Sequence, residues 1–153
     1  MSSIDKEWVE NHIDSNGEVI IPDGIEKIEP EAFRDNEKVK KVIMPDTVIE
    51  IGDNAFLGCK NLEEIKFSNN LKNIGNDAFL DCTVLKSVEL PKSIEQIGEE
   101  AFARCKELEK VLIDYKAKIK ELQESIFYEC EKLKEVSLPE AIEKIRRSCF
   151  LFM

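Results

Sequence analysis

Apolar positions return every 23 residues along most of the chain, starting at Val19. The most regular of these positions is aromatic and holds Phe33, Phe56, Phe79, Phe102, Phe127 and Phe150. Within a unit, the alternation of Ile65 and Phe67 with Glu64 and Lys66 predicts a short strand. A pattern that repeats at this period predicts a solenoid, in which each unit buries its apolar face against its neighbours.

The repeat extends over about nine-tenths of the sequence, with units that start near residues 19, 42, 65, 88, 111 and 136. The fifth unit is two residues longer, within Asp114–Lys118, and the sixth stops at Met153 before it is complete. In each unit a second extended piece follows the first strand, and a glycine such as Gly52 then allows a tight bend. We therefore expect a solenoid over residues 19–153.

Residues 1–18 precede the first repeat and are predicted to form an N-terminal cap. Trp8, Val9, His12 and Ile13 share one face of a short helix when placed at helical spacing. A solenoid exposes apolar surface at its ends unless a cap covers it. We expect Trp8 and His12 to pack under this helical cap, with a ligand site as the alternative.

The run from Ile51, IGDNAFLGCKNL, returns with small changes in the following units. It resembles the leucine-rich repeat of BspA-like bacterial and protozoan surface proteins, including the Treponema pallidum type. The resemblance implies a right-handed leucine-rich repeat solenoid of the α/β or mainly β class. It also implies a parallel sheet of about six strands on the concave side, with protein binding there, and a role in adhesion.

The composition is that of a folded, acidic protein, with 42% apolar residues, 35% charged residues and a formal charge of −10. This charge argues against nucleic acid or an anionic membrane as a partner, because both attract basic patches. A basic protein surface fits better, although the charge could serve solubility alone. The segment Met1–Glu10 lacks the apolar core of a signal peptide. We expect a cytoplasmic protein, or a surface or secreted one if the chain is a mature fragment.

Motifs for catalysis are absent from the sequence. It has no nucleophile elbow and no phosphate-binding glycine loop, and His12 is its single histidine. We expect no enzyme activity, no catalytic residues, no metal and no cofactor. Four cysteines share one repeat position, whereas a fifth, Cys149, takes the place of an alanine; the four are Cys59, Cys82, Cys105 and Cys130. Buried free thiols are the prediction, and a redox or metal role is the alternative.

Two columns of outward-pointing strand residues form what we call the strand face. The first column holds Glu18, Lys41, Glu64, Ser87, Lys110 and Glu135, and the second holds Ile20, Ile43, Lys66, Glu89, Leu112 and Ser137. Ile20 and Ile43 are apolar neighbours beside Lys41, a pattern typical of a binding hot spot. The alternative is that β-branched residues simply suit a strand. Tyr115, in the inserted segment, is a further candidate contact.

The chain ends on an apolar segment that includes Phe150, Leu151, Phe152 and Met153. Exposed apolar surface of this kind marks an interface or an aggregation hazard. We predict self-association there, as a homodimer across a two-fold axis, with truncation of the sequence as the alternative.

Two functions are compatible with these patterns. The first is a non-enzymatic protein–protein interaction module for surface recognition or adhesion. The second is a small acidic cytoplasmic adaptor or inhibitor that binds a basic groove of its partner. Salt separates them, because an interface of acidic against basic groups weakens as ionic strength rises.

Overall fold

A computed structural model describes residues 2–151 and has a solenoid of six turns, as the repeat predicts. The helix is α1 (Lys6–Glu10), and the strands are β1 (Ser3–Ile4), β2 (Glu18–Ile20), β3 (Lys27–Ile28), β4 (Lys41–Ile43), β5 (Glu50–Ile51), β6 (Glu64–Lys66), β7 (Asn73–Ile74), β8 (Ser87–Leu90), β9 (Gln96–Ile97), β10 (Lys110–Ile113), β11 (Glu121–Leu122), β12 (Glu135–Ser137) and β13 (Lys144–Ile145). Within these residues no helix is long and apolar enough to span a bilayer.

Each repeat contributes two short strands, which pair in parallel with the equivalent strands of the neighbouring repeats. The first strands form two sheets, with the orders β2-β4-β6 and β8-β10-β12. The second strands also form two sheets, β1-β3-β5-β7-β9 and β11-β13. The predicted sheet on the binding side is therefore parallel, but within residues 2–151 no pairing joins β6 to β8.

The core is a ladder of phenylalanine rings along the solenoid. Consecutive rings from Phe33 to Phe150 stack with their centroids 4.4, 4.8, 5.1, 6.0 and 5.5 Å apart. The rings from Phe33 to Phe127 are almost completely buried, and the inward strand residues Val42 and Val88 pack with them. Burying an aromatic or aliphatic side chain contributes about 1.5–3 kcal/mol by transfer alone, so the stacked rings add to the stability together with the buried aliphatic residues around them.

The turn that carries each phenylalanine is also tied to the next unit by hydrogen bonds. The N–H of Phe33 donates to the carbonyl of Ala55, and the N–H of Phe56 donates to that of Ala78, both at 2.7 Å. Asn54 has a φ of 59°, in the left-handed region that lets the chain turn tightly around the ring. Side-chain stacking and backbone bonding therefore both follow the 23-residue period.

The N-terminal segment, which the sequence predicts to be a cap, differs from that prediction in two details. Its helix α1 begins after Asp5, whose carboxylate accepts the Trp8 N–H at 2.9 Å. Strand β1 pairs with β3 and extends the second sheet, which the sequence did not predict. The helix ends at Glu10, so His12 lies beyond it and is exposed, with its ring stacked at 4.0 Å on the half-buried Trp8. The expectation that His12 packs in the core is therefore wrong.

Candidate protein-binding face

The strand face has the two predicted columns, because strand residues alternate between core and solvent. Parallel pairing places Glu18, Lys41 and Glu64 side by side, and in the second column it places Ile20, Ile43 and Lys66 side by side. In the second half of the solenoid the same pairing aligns Ser87, Lys110 and Glu135, and also Glu89, Leu112 and Ser137. The structure therefore brings the predicted residues together as two blocks.

An exposed apolar patch lies on the first block. Ile20 is 65% exposed, whereas Ile43 is half-buried between Ile20 and Lys66. The difference arises because β2 is the outermost strand of its sheet and leaves Ile20 with a neighbour on one side only. Next to this patch the ammonium of Lys41 lies 3.5 Å from the carboxylate of Glu64. The patch is thus apolar with a charged border.

A groove separates the two blocks, where β6 and β8 are not paired. It has a volume of about 560 Å³, and its polar lining includes Glu63, Glu64, Lys66, Glu89 and Asp114. Four of these five side chains carry carboxylates, so the groove is acidic. The repeat pattern did not predict this groove.

The groove coincides with a departure from the repeat pattern. The third unit has Phe67 and Ser68 where the second unit has Met44 and Pro45 and the fourth has Leu90 and Pro91. The ring of Phe67 is buried and packs edge-on against Phe79 at 5.7 Å, so a larger side chain fills this part of the coil. Phe67 and Ser68 were the signal in the sequence that could have indicated the interruption.

The inserted segment of the fifth unit projects an aromatic side chain from the second block. Tyr115 is 62% exposed, and the ammonium of Lys116 lies 5.7 Å from the centre of its ring. The turn itself is ordered, because Asp114 accepts the Lys116 N–H at 2.9 Å on its side chain and the Ala117 N–H at 2.9 Å on its backbone. Tyr115 lies in the fifth unit, four repeats after the unit that carries Ile20.

The apolar C-terminal residues are only partly exposed. Phe150 is half-buried and stacks on Phe127, whereas Leu151 is 45% exposed. The backbone carbonyl of Leu151 accepts the Glu129 N–H at 2.9 Å, which ties this turn to the preceding unit. Phe152 and Met153 lie outside the described residues.

A second groove, of about 580 Å³, runs along the paired second strands and was not predicted from the repeat pattern. Its floor is made by glycines at one repeat position, where a side chain would meet the backbone of the preceding unit. A Cβ on Gly75 would come 2.6 Å from the backbone nitrogen of Asp53, and one on Gly98 would come 2.5 Å from that of Asn76. The glycines are therefore required for close stacking of the units, which explains this floor without a ligand.

All five cysteines are free and buried, as predicted. Four thiols bond to backbone carbonyls, such as Cys59 Sγ to Phe33 O at 3.0 Å and Cys130 Sγ to Phe102 O at 3.0 Å. Burial raises the pKa of the Cys59 and Cys130 thiols to about 12, and that of the Cys105 thiol well above its ordinary value of 9.0. Such thiols are poor nucleophiles, because the thiolate is the reactive form. Within residues 2–151 no cluster of three or more His, Cys, Asp or Glu side chains could hold a metal ion.

Comparisons with known proteins support the same repeat. The chain matches the model of the BspA type leucine rich repeat region in six copies, over residues 3–118 and 51–153. No curated protein sequence matches it significantly. The solved structures that it resembles include a leucine rich cell surface protein from Faecalibacterium prausnitzii, with a TM-score of 0.75 and 34% identity over 80% of this chain and 32% of that one.

Two other solved structures extend this likeness. A leucine-rich repeat protein from Bacteroides ovatus has a TM-score of 0.82 and 33% identity, over 99% of this chain and 38% of that one. The leucine rich repeat protein of T. pallidum has a TM-score of 0.63 and 27% identity, over 86% of this chain and 74% of that one. The chain thus spans only about a third of the length of each of the first two proteins.

Proposed function

The chain belongs to the BspA-type leucine-rich repeat family, and we propose that it is a protein-recognition module whose strand face contacts the partner. Solenoids of this type are typically non-enzymatic and present extended surfaces for binding. The observation that carries the proposal is the pair of adjacent isoleucines, Ile20 and Ile43, on the outward side of paired strands.

The chemistry of this patch suits a protein partner. Ile20 and Ile43 are β-branched and have few rotamers, so immobilising them in an interface costs little conformational entropy. Binding would remove the exposed apolar surface of Ile20 from water. Removal of apolar surface is the main source of affinity in the centre of an interface. The charged pair of Lys41 and Glu64 borders the patch, where it favours correctly oriented partners.

A location at the cell surface is part of this proposal. The Faecalibacterium protein, which is 34% identical to this chain, is a leucine rich cell surface protein. A recognition or adhesion role at the surface would place the strand face toward a protein of a host or a neighbouring cell.

The test compares partner capture by the wild-type chain with capture by the double variant Ile20→Asp/Ile43→Asp. The matched control is Lys60→Asp, which changes the formal charge by the same two units at an exposed position away from the strand face. We expect a partner that the wild type and the control retain and that the double variant loses. Equal retention by all three would remove the patch from the binding surface.

A second candidate function rests on the acidic groove between β6 and β8. Its carboxylates and the net charge of −10 suit a partner with a basic segment, which is the adaptor or inhibitor role. The test is binding at rising salt, with Glu63→Gln/Glu89→Gln as the variant. If partner binding weakens steeply with salt and is lost in this variant, the second function is favoured. Salt-insensitive binding that depends on Ile20 would favour the first.

A further inference from the structure

The hydrogen bonding between first strands is interrupted in the interior of the solenoid, between two complete coils. The N–H of Lys40 donates to the carbonyl of Gly17 at 2.7 Å, and the N–H of Glu63 donates to that of Lys40 at 2.8 Å. The N–H of Glu109 likewise donates to the carbonyl of Lys86, at 2.8 Å. Within residues 2–151 the equivalent bond from Lys86 to Glu63 is missing, and β6 does not pair with β8. The interruption therefore leaves two facing strand edges open at the acidic groove.

Backbone carbonyls of the third unit are directed toward this groove. Strand β6 bonds to β4 through Lys66, whose carbonyl accepts the Met44 N–H at 3.1 Å. Because the backbone groups of a parallel strand alternate between its two neighbours, the carbonyls of Glu63 and Ile65 are directed toward β8. Neither carbonyl accepts a hydrogen bond within the part of the chain that the structure describes. Such a group needs a donor from water or from a ligand.

The floor of the groove is apolar. Ile65 is 8% exposed and Phe67 is 7% exposed, whereas the equivalent side chains of the second unit, Val42 and Met44, are 0% and 4% exposed. Both Ile65 and Phe67 line the groove. The interruption thus uncovers the edge of the core directly beside the unpaired carbonyls.

The charged side chains around this floor are mostly acceptors of hydrogen bonds. Four of them are carboxylates and one is an ammonium; they are Glu63, Glu64, Glu89, Asp114 and Lys66. An ionised carboxylate only accepts hydrogen bonds, as a backbone carbonyl does. A complementary occupant is therefore a cation that donates several hydrogen bonds and also has an apolar stem.

Arginine meets these requirements better than lysine does. Its guanidinium carries five N–H donors in a planar fork, is weakly hydrated and binds carboxylates with two parallel bonds. Its aliphatic stem covers apolar surface while the charged group stays among polar atoms. The lysine ammonium has three donors and is strongly hydrated, so it loses more favourable hydration when it enters a groove.

From these features we infer that the groove between β6 and β8 binds an arginine side chain of a protein partner. The guanidinium lies between the carboxylates of Glu64 and Glu89 and bonds to the unpaired carbonyls, with its stem against Phe67. This inference rests on the second candidate function, the binding of a basic segment, and names the residue that the segment must present.

The first experiment titrates the isotopically labelled chain with acetyl-Gly-Arg-Gly-amide and follows the backbone amides by NMR. The matched probes are the same peptide with lysine and with citrulline, which has the shape of arginine without its charge. We expect saturable shifts of the amides of Ile65, Phe67 and Glu89. The dissociation constant should be at least about fivefold lower for arginine than for lysine, because only the guanidinium makes paired bonds. The citrulline peptide should not bind, and the amide of Val111, whose strand is paired on both sides, should not shift.

A variant that closes the gap separates its shape from its charge. Phe67→Leu/Ser68→Pro gives the third unit the residues that the fourth has at Leu90 and Pro91, and it keeps every carboxylate of the groove. We expect β6 to pair with β8 in this variant and the arginine shifts to disappear. Far-UV circular dichroism checks that the variant keeps the fold of the wild type.

A second variant keeps the gap and removes two carboxylates. Glu64→Gln/Glu89→Gln should weaken arginine binding by about tenfold or more, because hydrogen bonds to an ionised acceptor are the strong ones. The matched control is Glu26→Gln/Glu95→Gln, which removes the same charge at exposed positions outside the groove and should bind like the wild type.

The outcomes distinguish the arginine site from the second candidate function. Equal affinity for arginine and lysine would overturn the site and leave a groove that attracts basic segments by charge alone. Arginine binding that Phe67→Leu/Ser68→Pro retains would overturn it in the same way. Absence of any shift with the arginine peptide would also overturn the site, whereas binding of a basic partner at rising salt tests the second function separately.

Discussion

Ile97 and Ile145 occupy the same position in their repeats, yet Ile97 is 1% exposed and Ile145 is 47% exposed. Both lie in the second strand of a unit, and their strands pair in parallel on one side. The difference is that a further coil follows Ile97, whereas no described coil follows Ile145. Burial in this molecule is therefore conferred by the neighbouring unit, and residue type alone does not decide it.

This comparison defines how stability is distributed along the solenoid. In a stack of repeats, the free energy of unfolding is approximately a sum of two kinds of contribution. One is the intrinsic stability of each unit, and the other is the interface between each unit and its neighbour. The inner coils have two interfaces and the sixth has one within residues 2–151. A substitution at one repeat position should consequently cost more in the middle than at the open end.

The largest expected effect is on the aromatic ladder. Phe79→Ala should lower the free energy of unfolding by about 3–5 kcal/mol, because it leaves a cavity between Phe56, Phe102 and Phe67. Phe150→Ala should cost clearly less, since that ring is half-buried and stacks on one side only. Urea unfolding of both variants checks this, and equal losses would contradict the end effect.

The next effect concerns the glycine floor. Gly75→Ala should cost about 1–3 kcal/mol, because the added Cβ would lie 2.6 Å from the Asp53 nitrogen and the units would have to separate. Gln123→Ala is the matched control at the same repeat position, where β9 and β11 are not paired, and its effect should stay within about 0.5 kcal/mol. Thermal unfolding of both measures the difference. A neutral Gly75→Ala would show that the close stacking is not required.

A smaller effect should appear at alkaline pH. Burial raises the pKa of the Cys105 thiol well above 9.0, so the folded state keeps this proton while the unfolded state loses it. The stability is thus unaffected by this thiol below about pH 9 and falls as pH rises from there toward the folded pKa. In that window each such thiol lowers the free energy of unfolding by about 1.4 kcal/mol per pH unit. Urea titrations of wild type and Cys105→Ala at several pH values should show a slope that differs by this amount.

An unchanged slope in Cys105→Ala would show that the thiol ionises equally in both states. That result would contradict the claim that water is excluded from the core that holds Cys105 and the phenylalanine rings.

The smallest effect is expected on the strand face. Ile20→Lys should change the free energy of unfolding by no more than about 0.5 kcal/mol, because Ile20 is 65% exposed and contacts one neighbouring strand. Ile20 and Ile145 are both exposed isoleucines, but only the second occupies a position that other repeats bury. Urea unfolding tests this, and a large loss of stability would show that Ile20 packs against the N-terminal segment.

The repeat made most of the fold predictable. The 23-residue period, the alternation around Ile65 and the fixed place of Phe79 were enough to indicate the parallel strands, the inward ring and the buried cysteine ladder. These features depend on contacts between equivalent positions, and the sequence displays each of them several times over.

The interruptions of the sheets were harder to predict, because each occurs once. Phe67 and Ser68 mark the gap between β6 and β8, and Gln123 replaces a glycine just after the inserted segment, where β9 and β11 are not paired. A single departure does not indicate how the two neighbouring coils adjust to it. His12 was misplaced because the helical spacing of the cap continued beyond Glu10, where the helix ends.

The strand face was predictable as two columns but not as a binding site. Alternation determines which side of a strand faces solvent, so the neighbours of Ile20 and Lys41 followed from the repeat. The partner does not leave a pattern of this kind in the sequence. The binding role of Ile20 and Ile43 is the proposal that the capture experiment tests, and the contact role of Tyr115 stays a prediction.

The most direct test of the neighbour effect is urea unfolding of the two variants Ile97→Ala and Ile145→Ala. Both variants remove the same atoms at the same repeat position. We predict a loss of about 2–5 kcal/mol for Ile97→Ala and less than about 1 kcal/mol for Ile145→Ala. Equal losses would contradict the claim that a following coil, and not the residue itself, determines what is buried.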